Sequence, residues 1–346
     1  MEKTLLDMQP VYVVGVGLHR YQRMSDKPYV ELGLAAVRQA LDDARIDWPK
    51  VESAYVGTAL IGMAAARPML RYLGATGIPM AQVENASASG STAFQQACLE
   101  VAGGARDVVL ALGVDKPDMP RFAPAKTGIR DLVGSRVAPV THFALLANEY
   151  MSRYGVSPAQ IGAVAVKNSR NGANNPFAQR QKARTLDEVM AGPPLSGSLT
   201  RLQCCPIGEG AAAAIVASGE AIARLGIDRS RAVRVIASVT RTERVYGEGR
   251  NWDAELTRET IEQACRESAI KASDLDVIEL HDAFTIEELL YVEAMGLYGA
   301  GEATQALARG ETDIGGRCAV NPSGGLLAMG HPIGPTGVGQ IAEIAR

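Results

Sequence analysis

The 346-residue sequence lacks the features that mark several classes of protein. No apolar run approaches the roughly 20 residues that a membrane-spanning helix needs, and the N-terminus has no signal-peptide hydrophobic segment. Basic residues are not in excess, since the net charge is −3 and the pI is about 5.9. We therefore expect neither nucleic acid nor a membrane as a partner.

Cysteine is also scarce, and the five residues are spaced unlike those of the usual cysteine sites. The odd number and the lack of a C-x-x-C pair predict neither a disulfide framework nor a metal site. A reducing cytoplasm is the simplest location. We expect Cys204 and Cys205 to be buried packing residues, Cys98 and Cys265 to lie on apolar helix faces, and Cys318 to begin a strand.

The sequence does have the composition of a globular protein, with 47% apolar and 21% charged residues, and a length that suits roughly two domains. Apolar runs and amphipathic segments alternate along the first 113 residues. They predict strands at 11–17, 51–60, 78–84 and 104–113, and helices at 30–45, 68–77 and 92–102. This alternation favours an α/β fold with a predominantly parallel, helix-covered sheet. The first strand lacks the third glycine of a dinucleotide fingerprint.

Residues 115–203 differ from what precedes them because they are rich in proline. They contain few strand-like runs, and helices are predicted at 142–154 and 158–171. We interpret this segment as an insertion over the carboxyl edge of the sheet, where ligands of such folds bind. A strand is predicted again at 210–218.

The second half of the chain repeats the first. Residues 36–57 align without a gap with residues 260–281, and Asn85-Ala-Ser87 resembles Asn321-Pro-Ser323. Such self-similarity predicts a duplicated βαβαβ unit. The two halves would be residues 1–225, which contain the insertion, and residues 226–346. Their strand-to-helix turns would face one pocket.

Three of these turns carry reactive side chains. Ser87 lies between a strand and a helix, although a serine there is also an ordinary N-cap. His281 follows the strand 276–279 and precedes the helix 285–295, and His331 lies in a glycine-rich turn before a helix that begins at Thr336. A lone histidine in such a turn is often structural. Two on related turns beside a nucleophile favour proton transfer or stabilisation of an oxyanion.

These segments resemble the thiolase superfamily, in particular the branch of sterol-carrier-protein-type and archaeal-type thiolases. The similar motifs are ENASASGSTA (84–93), CCPIGEGAAA (204–213), HDAF (281–284), and NPSGG with GHPIGPTG (321–337). The resemblance implies a five-layered αβαβα thiolase fold in which 115–203 is the loop domain. It also implies acyl-CoA substrates, with coenzyme A as a substrate or product and no bound cofactor. Expected partners are a second copy, paired across strand 104–113, and a small zinc-ribbon and OB-fold subunit.

The resemblance also assigns the catalytic residues. Ser87 takes the position of the acyl-accepting cysteine. His331 matches the histidine that activates this nucleophile and helps to stabilise the thioester oxyanion. His281 matches the histidine that assists enolate formation or proton transfer.

Four further residues are expected to bind substrate or coenzyme A. His142 matches a histidine near the pantetheine arm, although a helix-start histidine without a ligand role is an equal alternative. Asn321 belongs to the NPSGG motif, and Gly325 and Gly330 would supply backbone contacts near the thioester.

Three departures from the family leave the activity open. Ser87 replaces cysteine, either natively or as an engineered change, and a hydroxyl is far harder to deprotonate than a thiol. Ala283 stands where sterol-carrier-type thiolases have cysteine. The sequence stops at Arg346, in what is predicted to be the beginning of a helix, whereas the family normally continues through another strand, so either the chain is truncated or the last elements of the second half are absent.

We weigh three functions. The first is 3-oxoacyl-CoA thiolysis or Claisen condensation, impaired by Ser87. The second is a lyase, a retro-aldolase on a 3-hydroxyacyl-CoA, which needs no acyl-enzyme. The third is a non-catalytic acyl-CoA or lipid carrier, or a scaffold subunit.

Overall fold

A computed structural model describes residues 3–117, 139–247, 249 and 251–346. Part of the predicted insertion, 118–138, lies outside the described residues. The described part contains a six-stranded sheet, a second sheet of two parallel strands, a short hairpin and twelve α-helices. None of these helices is long and apolar enough to cross a bilayer. The cytoplasmic location stays a prediction.

The predicted strands form close to their expected positions, and the described residues contain ten strands in all, three of which were not predicted. They are β1 (Val11–Gln22), β2 (Ser53–Gly57), β3 (Met80–Val83), β4 (Val108–Asp115), β5 (Pro194–Ser196), β6 (Leu199–Thr200), β7 (Glu209–Ser218), β8 (Val233–Val235), β9 (Val277–Ile278) and β10 (Ala319–Val320). The strand predicted at 11–17 was too short, because β1 remains paired with β7 as far as Gln22.

The seven predicted helices also form, with ends shifted by a few residues, and the described residues contain twelve helices in all. They are α1 (Tyr29–Ala44), α2 (Ala66–Leu70), α3 (Ser89–Ala102), α4 (Pro139–Tyr154), α5 (Pro158–Ala173), α6 (Leu186–Met190), α7 (Gly219–Leu225), α8 (Trp252–Ser268), α9 (Thr285–Ala294), α10 (Ala303–Ala308), α11 (Gly325–Met329) and α12 (Thr336–Ala345). The helix predicted at 68–77 is the short α2, followed by a 3-10 turn.

The large sheet is mixed, so the expectation of a predominantly parallel sheet was wrong. Its strand order is β3-β2-β4-β7-β1-β8, and β1 to β4 run in one direction. Strand β7 runs in the opposite direction between β4 and β1. The chain leaves β4 at Asp115 and returns opposite it at Gly210. A strand that begins at the edge where its neighbour ended must be antiparallel to it.

Strand β4 is not a free edge, so the predicted pairing of two subunits across residues 104–113 was wrong. It pairs with β2 on one side and β7 on the other, and all eight of its residues are buried. Its apolar run therefore reflects burial inside one sheet. The outer strands are β3 and β8.

The repeat seen in the sequence is present in the backbone. Helices α1 and α8 both end in a residue with left-handed backbone, Arg45 and Ala269, which are equivalent in the alignment. Each helix is followed by a 3-10 turn, at the aligned positions 48–50 and 272–274. Each turn leads into a strand, β2 in the first half and β9 in the second. The parallel pair β2–β3 corresponds to the parallel pair β9–β10.

Helices cover both faces of the large sheet. Apolar residues of α1 and α2 form the core with one face, and those of α3 and α12 with the other. Because α12 belongs to the C-terminal half but packs in the same layer as α3, it brings the turn that carries His331 onto the turn that carries Ser87. A third core joins α4 and α5 to α9 and to the second sheet.

Candidate active site

The turn between β3 and α3 presents the Ser87 side chain. Ala86 has a left-handed backbone with φ 45°, and its N–H donates to the Glu84 carboxylate over 2.8 Å. The hydroxyl of Ser89 accepts from Asn85 N at 2.8 Å and donates to Ala86 O at 2.7 Å. The turn is thus fixed by its neighbours. Ser87 is not the N-cap of α3, since Ala88 takes that position, and the alternative interpretation of Ser87 as an N-cap was wrong.

Ser87 and His331 meet although they are 244 positions apart in the chain. The Ser87 Oγ lies 3.1 Å from His331 Nε2, and His331 Nδ1 lies 2.8 Å from Thr336 Oγ1. If Nδ1 carries the proton and donates it to Thr336, Nε2 keeps its lone pair for the serine hydroxyl. This is the arrangement of a nucleophile with an adjacent base, but the group behind the base is a neutral hydroxyl.

Close backbone contacts fix the His331 turn. A Cβ atom at Gly90 would lie 2.5 Å from Gly334 O, and one at Gly113 would lie 2.4 Å from Pro335 Cα, so only glycine fits at either place. Gly334 N donates to the buried Asp115 carboxylate over 2.6 Å. The turn therefore rests directly on β4 and on α3, the helix that follows Ser87.

The environment of His331 keeps its imidazole neutral. Burial, and to a lesser extent the nearby His281, lowers the pKa of His331 to about 3. The ring therefore has a lone pair available at any pH near neutrality. The same surroundings make the imidazolium unfavourable once a proton has been accepted.

His281 lies beside this pair, as the sequence predicted. Its ring is nearly perpendicular to that of His331, with centroids 4.8 Å apart. His281 Nδ1 is 3.7 Å from the Glu287 carboxylate, and Nε2 is buried without a hydrogen-bond partner among the described residues. A buried ring nitrogen with no partner is the group in this site that is available to a substrate oxygen.

A buried charged network, which the sequence did not predict, holds the two histidine turns together. The side chain of Asn168 donates to both Asp282 and Glu288, at 2.8 and 2.9 Å, and Glu288 accepts from Lys167 at 2.6 Å. Asp282 accepts from Leu326 N at 2.6 Å. Burial, and then the charge of Glu288, raises the pKa of Asp282 above its usual range. Asp282 follows His281 directly, and that adjacency was the signal in the sequence.

Asn321 belongs to the same network. Its Oδ1 accepts from Leu280 N at 2.9 Å and its Nδ2 donates to Glu288 at 3.0 Å, so its amide joins the two turns. The N–H groups of Gly325 and Gly330 have acceptors as well, in Ser323 Oγ and Leu326 O. Contacts of these glycines with a thioester stay a prediction, and would involve their Cα or carbonyl groups.

His142 is not part of the Ser87–His331 group. Its Nε2 lies 2.7 Å from the Asp253 carboxylate, and its ring stacks on Trp252. The next residue, Phe143, stacks on Phe284 of the HDAF motif with centroids 4.7 Å apart. The stacked pair of Phe143 and Phe284 therefore connects the residue next to His142 with the turn that carries His281. The role of His142 beside a pantetheine arm stays a prediction.

Most of the cysteines pack as expected, but Cys205 is less buried than predicted. Cys98, Cys204 and Cys318 are buried, and Cys205 and Cys265 are half-buried. Burial, then the nearby Glu287 and Asp282 carboxylates, raises the pKa of Cys205. Its thiol therefore stays protonated.

Comparison with known families matches both halves of the chain. The family model described as thiolase, N-terminal domain, covers residues 12–186. The model described as thiolase C-terminal domain-like covers residues 239–346. Together they take in the three turns that form the site.

Individual relatives agree with these matches. The chain is 37% identical to the benzoylsuccinyl-CoA thiolase subunit BbsB of Thauera aromatica, over 97% of this chain and 88% of that protein. It is also 37% identical to sterol carrier protein 2 of Gallus gallus over 96% of its own length, but it spans only 65% of that protein.

Solved structures show the same fold. One described as an Ltp2–ChsH2(DUF35) aldolase has a TM-score of 0.82, 23% identity, and coverage of 97% of this chain and 91% of that one. A monomeric SCP2-thiolase-like protein of Mycobacterium smegmatis has a TM-score of 0.76 and 20% identity, with 97% and 70% covered. Motifs, fold and relatives agree, and the chain belongs to the thiolase family.

Proposed function

We propose that this protein is a thiolase-type acyl-CoA enzyme that makes or breaks a carbon–carbon bond next to a thioester, by 3-oxoacyl-CoA thiolysis or Claisen condensation. The observation that carries the proposal is the 3.1 Å contact of Ser87 Oγ with His331 Nε2, beside an unpartnered His281 Nε2. The benzoylsuccinyl-CoA thiolase subunit, and an acetyl-CoA acetyltransferase of Methanothermobacter thermautotrophicus that is 32% identical, support the substrate class. Coenzyme A would act as substrate or product.

In the condensation direction, His331 Nε2 takes the proton of Ser87 while the oxygen attacks the thioester carbonyl. The carbon–sulfur bond then breaks, and His331 returns the proton to the departing sulfur. His331 Nε2 then takes a proton from C2 of a second acyl-CoA, the resulting carbanion attacks the acyl-serine carbonyl, and the bond to the serine oxygen breaks as His331 returns the proton to Ser87. His281 Nε2, when protonated, is placed to donate to the oxygen that becomes negative.

The first step is the difficult one for this chain. A serine proton must pass to a ring whose pKa is lowered to about 3 and whose other nitrogen contacts the neutral hydroxyl of Thr336. A carboxylate at that place would stabilise the imidazolium, as in a Ser-His-Asp triad. Acylation of Ser87 should therefore be slow.

A second candidate is retro-aldol cleavage of a 3-hydroxyacyl-CoA. A general base removes the proton of the 3-hydroxyl, the bond between C2 and C3 breaks, and the thioester enolate takes a proton at C2. No acyl-enzyme forms, so this reaction needs no nucleophile at position 87. One neighbour of the same fold is described as an aldolase, which supports this alternative.

Turnover of a substrate panel separates the candidates. We expect the purified protein to cleave 3-oxoacyl-CoA esters when coenzyme A is added, with products followed by mass spectrometry. Cleavage of 3-hydroxyacyl-CoA esters alone would establish the lyase. Binding of both classes without turnover would contradict both enzymatic proposals and favour a carrier, as the likeness to sterol carrier protein 2 suggests.

We also propose a homodimer, now with β3 in place of β4 as the pairing strand. Strand β3 is an outer strand, and its residues Ala81 and Gln82 are exposed. Light scattering at micromolar concentration should give about twice the 36.5 kDa of one chain. The change Ala81→Arg should give monomers, whereas Val233→Arg on the other outer strand should not. A monomeric parent protein would contradict the proposal, and one fold neighbour is described as monomeric.

A small zinc-ribbon and OB-fold subunit is a further proposed partner. The Thauera relative is described as one subunit of a thiolase, and one fold neighbour is described together with a DUF35 component. Both descriptions support such a partner.

A further inference from the structure

The two histidines of the site have different groups beside their Nδ1 atoms. The Nδ1 atom of His331 lies 2.8 Å from the neutral hydroxyl of Thr336. The Nδ1 atom of His281 instead lies 3.7 Å from the Glu287 carboxylate, which is the distance of an ion pair and is too long for a hydrogen bond. The carboxylate that stabilises a protonated imidazole is therefore beside His281 and not beside His331.

Glu287 is held in place from two sides. It lies in the first turn of α9, where its Oε2 accepts from Phe284 N at 2.8 Å. Its Oε1 accepts from the Tyr291 hydroxyl at 3.0 Å, one helical turn further along. Each carboxylate oxygen has room for a second donor, so these bonds do not prevent an interaction with His281. The Glu287 side chain is 2% exposed, compared with 35% for His281, so the carboxylate is the fixed member of the pair.

The other ring nitrogen of His281 is available for chemistry. Nε2 is buried without a partner among the described residues, and the ring meets that of His331 edge to face, with centroids 4.8 Å apart. The hydrogen-bonding group at one nitrogen decides which nitrogen of a neutral imidazole carries the proton. An acid near Nδ1 keeps the proton there and leaves the lone pair on Nε2. If Nε2 also takes a proton, the positive charge lies next to Glu287.

Other titratable groups near this pair do not provide the same counter-charge. They are His331, Cys205, Tyr291 and Asp282, with Lys167 and Glu288 beyond Asp282. Burial, and then the charge of Glu287, raises the pKa values of the Cys205 thiol and the Tyr291 hydroxyl, so both stay protonated. The two oxygens of Asp282 instead accept from Leu326 N and Asn168. Glu287 is thus the acid in contact with the His281 ring.

We propose that Glu287 is a positioning residue that fixes the proton of His281 on Nδ1 and balances the charge of the ring once Nε2 is protonated. Protonation of Nε2 then turns a neutral ring beside a carboxylate into an ion pair. The same step at His331 leaves a positive ring beside a hydroxyl. His281 is therefore the ring that can hold a proton, and its Nε2–H donates to the thioester oxygen as that oxygen becomes negative. This last role rests on the proposed function.

The first test uses NMR of protein labelled with ¹⁵N-histidine and needs no substrate. The chain has only four histidines, so single His→Gln variants assign the ring signals. In alkaline solution we expect the parent protein to carry a proton on His281 Nδ1 and none on Nε2. In Glu287→Gln, the amide oxygen can still accept from Phe284 N, but the amide NH₂ group is a donor toward the ring. The ring proton should therefore move to Nε2.

Glu293→Gln provides a control on the same helix. The Oε1 of Glu293 also accepts from a tyrosine hydroxyl and a backbone N–H, those of Tyr150 and Ala303, at 2.5 and 3.0 Å. Its loss should leave the His281 signals as they are in the parent. A parent protein with the proton on Nε2, or an unchanged ring in Glu287→Gln, would overturn the proposal. The parent spectrum can do so alone, even if a variant fails to fold.

Activity gives a second readout, with whichever substrate the panel identifies. Glu287→Gln should lower kcat about tenfold or more and leave KM little changed, because the charge acts on the transition state. Glu287→Asp keeps the charge and should recover part of this loss. A role limited to the start of α9 would spare Glu287→Gln, since glutamine also caps a helix at this position. Unchanged kcat in that variant would contradict the catalytic part of the proposal. A panel without turnover would contradict the proposed function, and the NMR result would then decide the role of Glu287.

Discussion

Replacing Ser87 with cysteine should raise 3-oxoacyl-CoA thiolysis or condensation by about 10²-fold or more. The Ser87 oxygen is already 3.1 Å from His331 Nε2, so the change alters the acidity of the nucleophile and leaves the geometry in place. A thiol has a pKa of about 8.5 and is a few per cent ionised near neutrality, whereas a hydroxyl is not. A weak base behind the nucleophile therefore matters far less for cysteine. Mass spectrometry should find an acyl group on residue 87.

The matched control is Ser87→Ala. Under the thiolase proposal it should abolish thiolysis, because no nucleophile remains. Under the aldolase alternative it should retain most 3-hydroxyacyl-CoA cleavage, and Ser87→Cys should give no improvement. A cysteine variant that neither becomes acylated nor turns over any 3-oxoacyl-CoA would end the acyl-transfer proposal and place the lyase first.

The sequence was sufficient for the local structure and for the three reactive turns. Helix α1 and β2 repeat as α8 and β9, and the aligned pair Arg45 and Ala269 even shares a left-handed backbone. Turn residues and apolar periodicity are local signals, so they survive in a single sequence. The placement of Ser87 against His331 followed from the repeat, because related turns in a duplicated unit face one another.

Features that depend on distant contacts were predicted less well. The direction of β7 follows from where the insertion returns the chain, and no local pattern in Gly210 to Ser218 encodes it. The burial of β4 was predicted, but the apolar run does not distinguish a central strand from an interface. The hydrogen bonds of Leu326 N with Asp282 and of Ser323 with Glu279 each join residues more than 40 positions apart.

The histidines give the second large effect. His331→Ala and His281→Ala should each lower kcat about 10²-fold or more, a loss of about 2.7 kcal/mol in transition-state stabilisation. His331 contacts the nucleophile directly, and His281 presents the unpartnered Nε2. His19 is the control, because it lies in β1 opposite Ala211 and His19→Gln should leave turnover unchanged. Full activity in either alanine variant would remove that residue from the mechanism.

The His281→Ala variant should also change the pKa of His331. The pKa of His331 is lowered to about 3, so nearly all of the rings are in the neutral, proton-accepting form well above that pH. This fraction decreases only in strong acid. Part of the depression comes from His281, and the larger part from burial. His281→Ala should therefore raise the pKa of His331, which ¹⁵N chemical shifts measure directly. An unchanged His331 pKa would mean that the two rings do not influence each other's charge, and the oxyanion role of His281 would then rest on its free nitrogen alone.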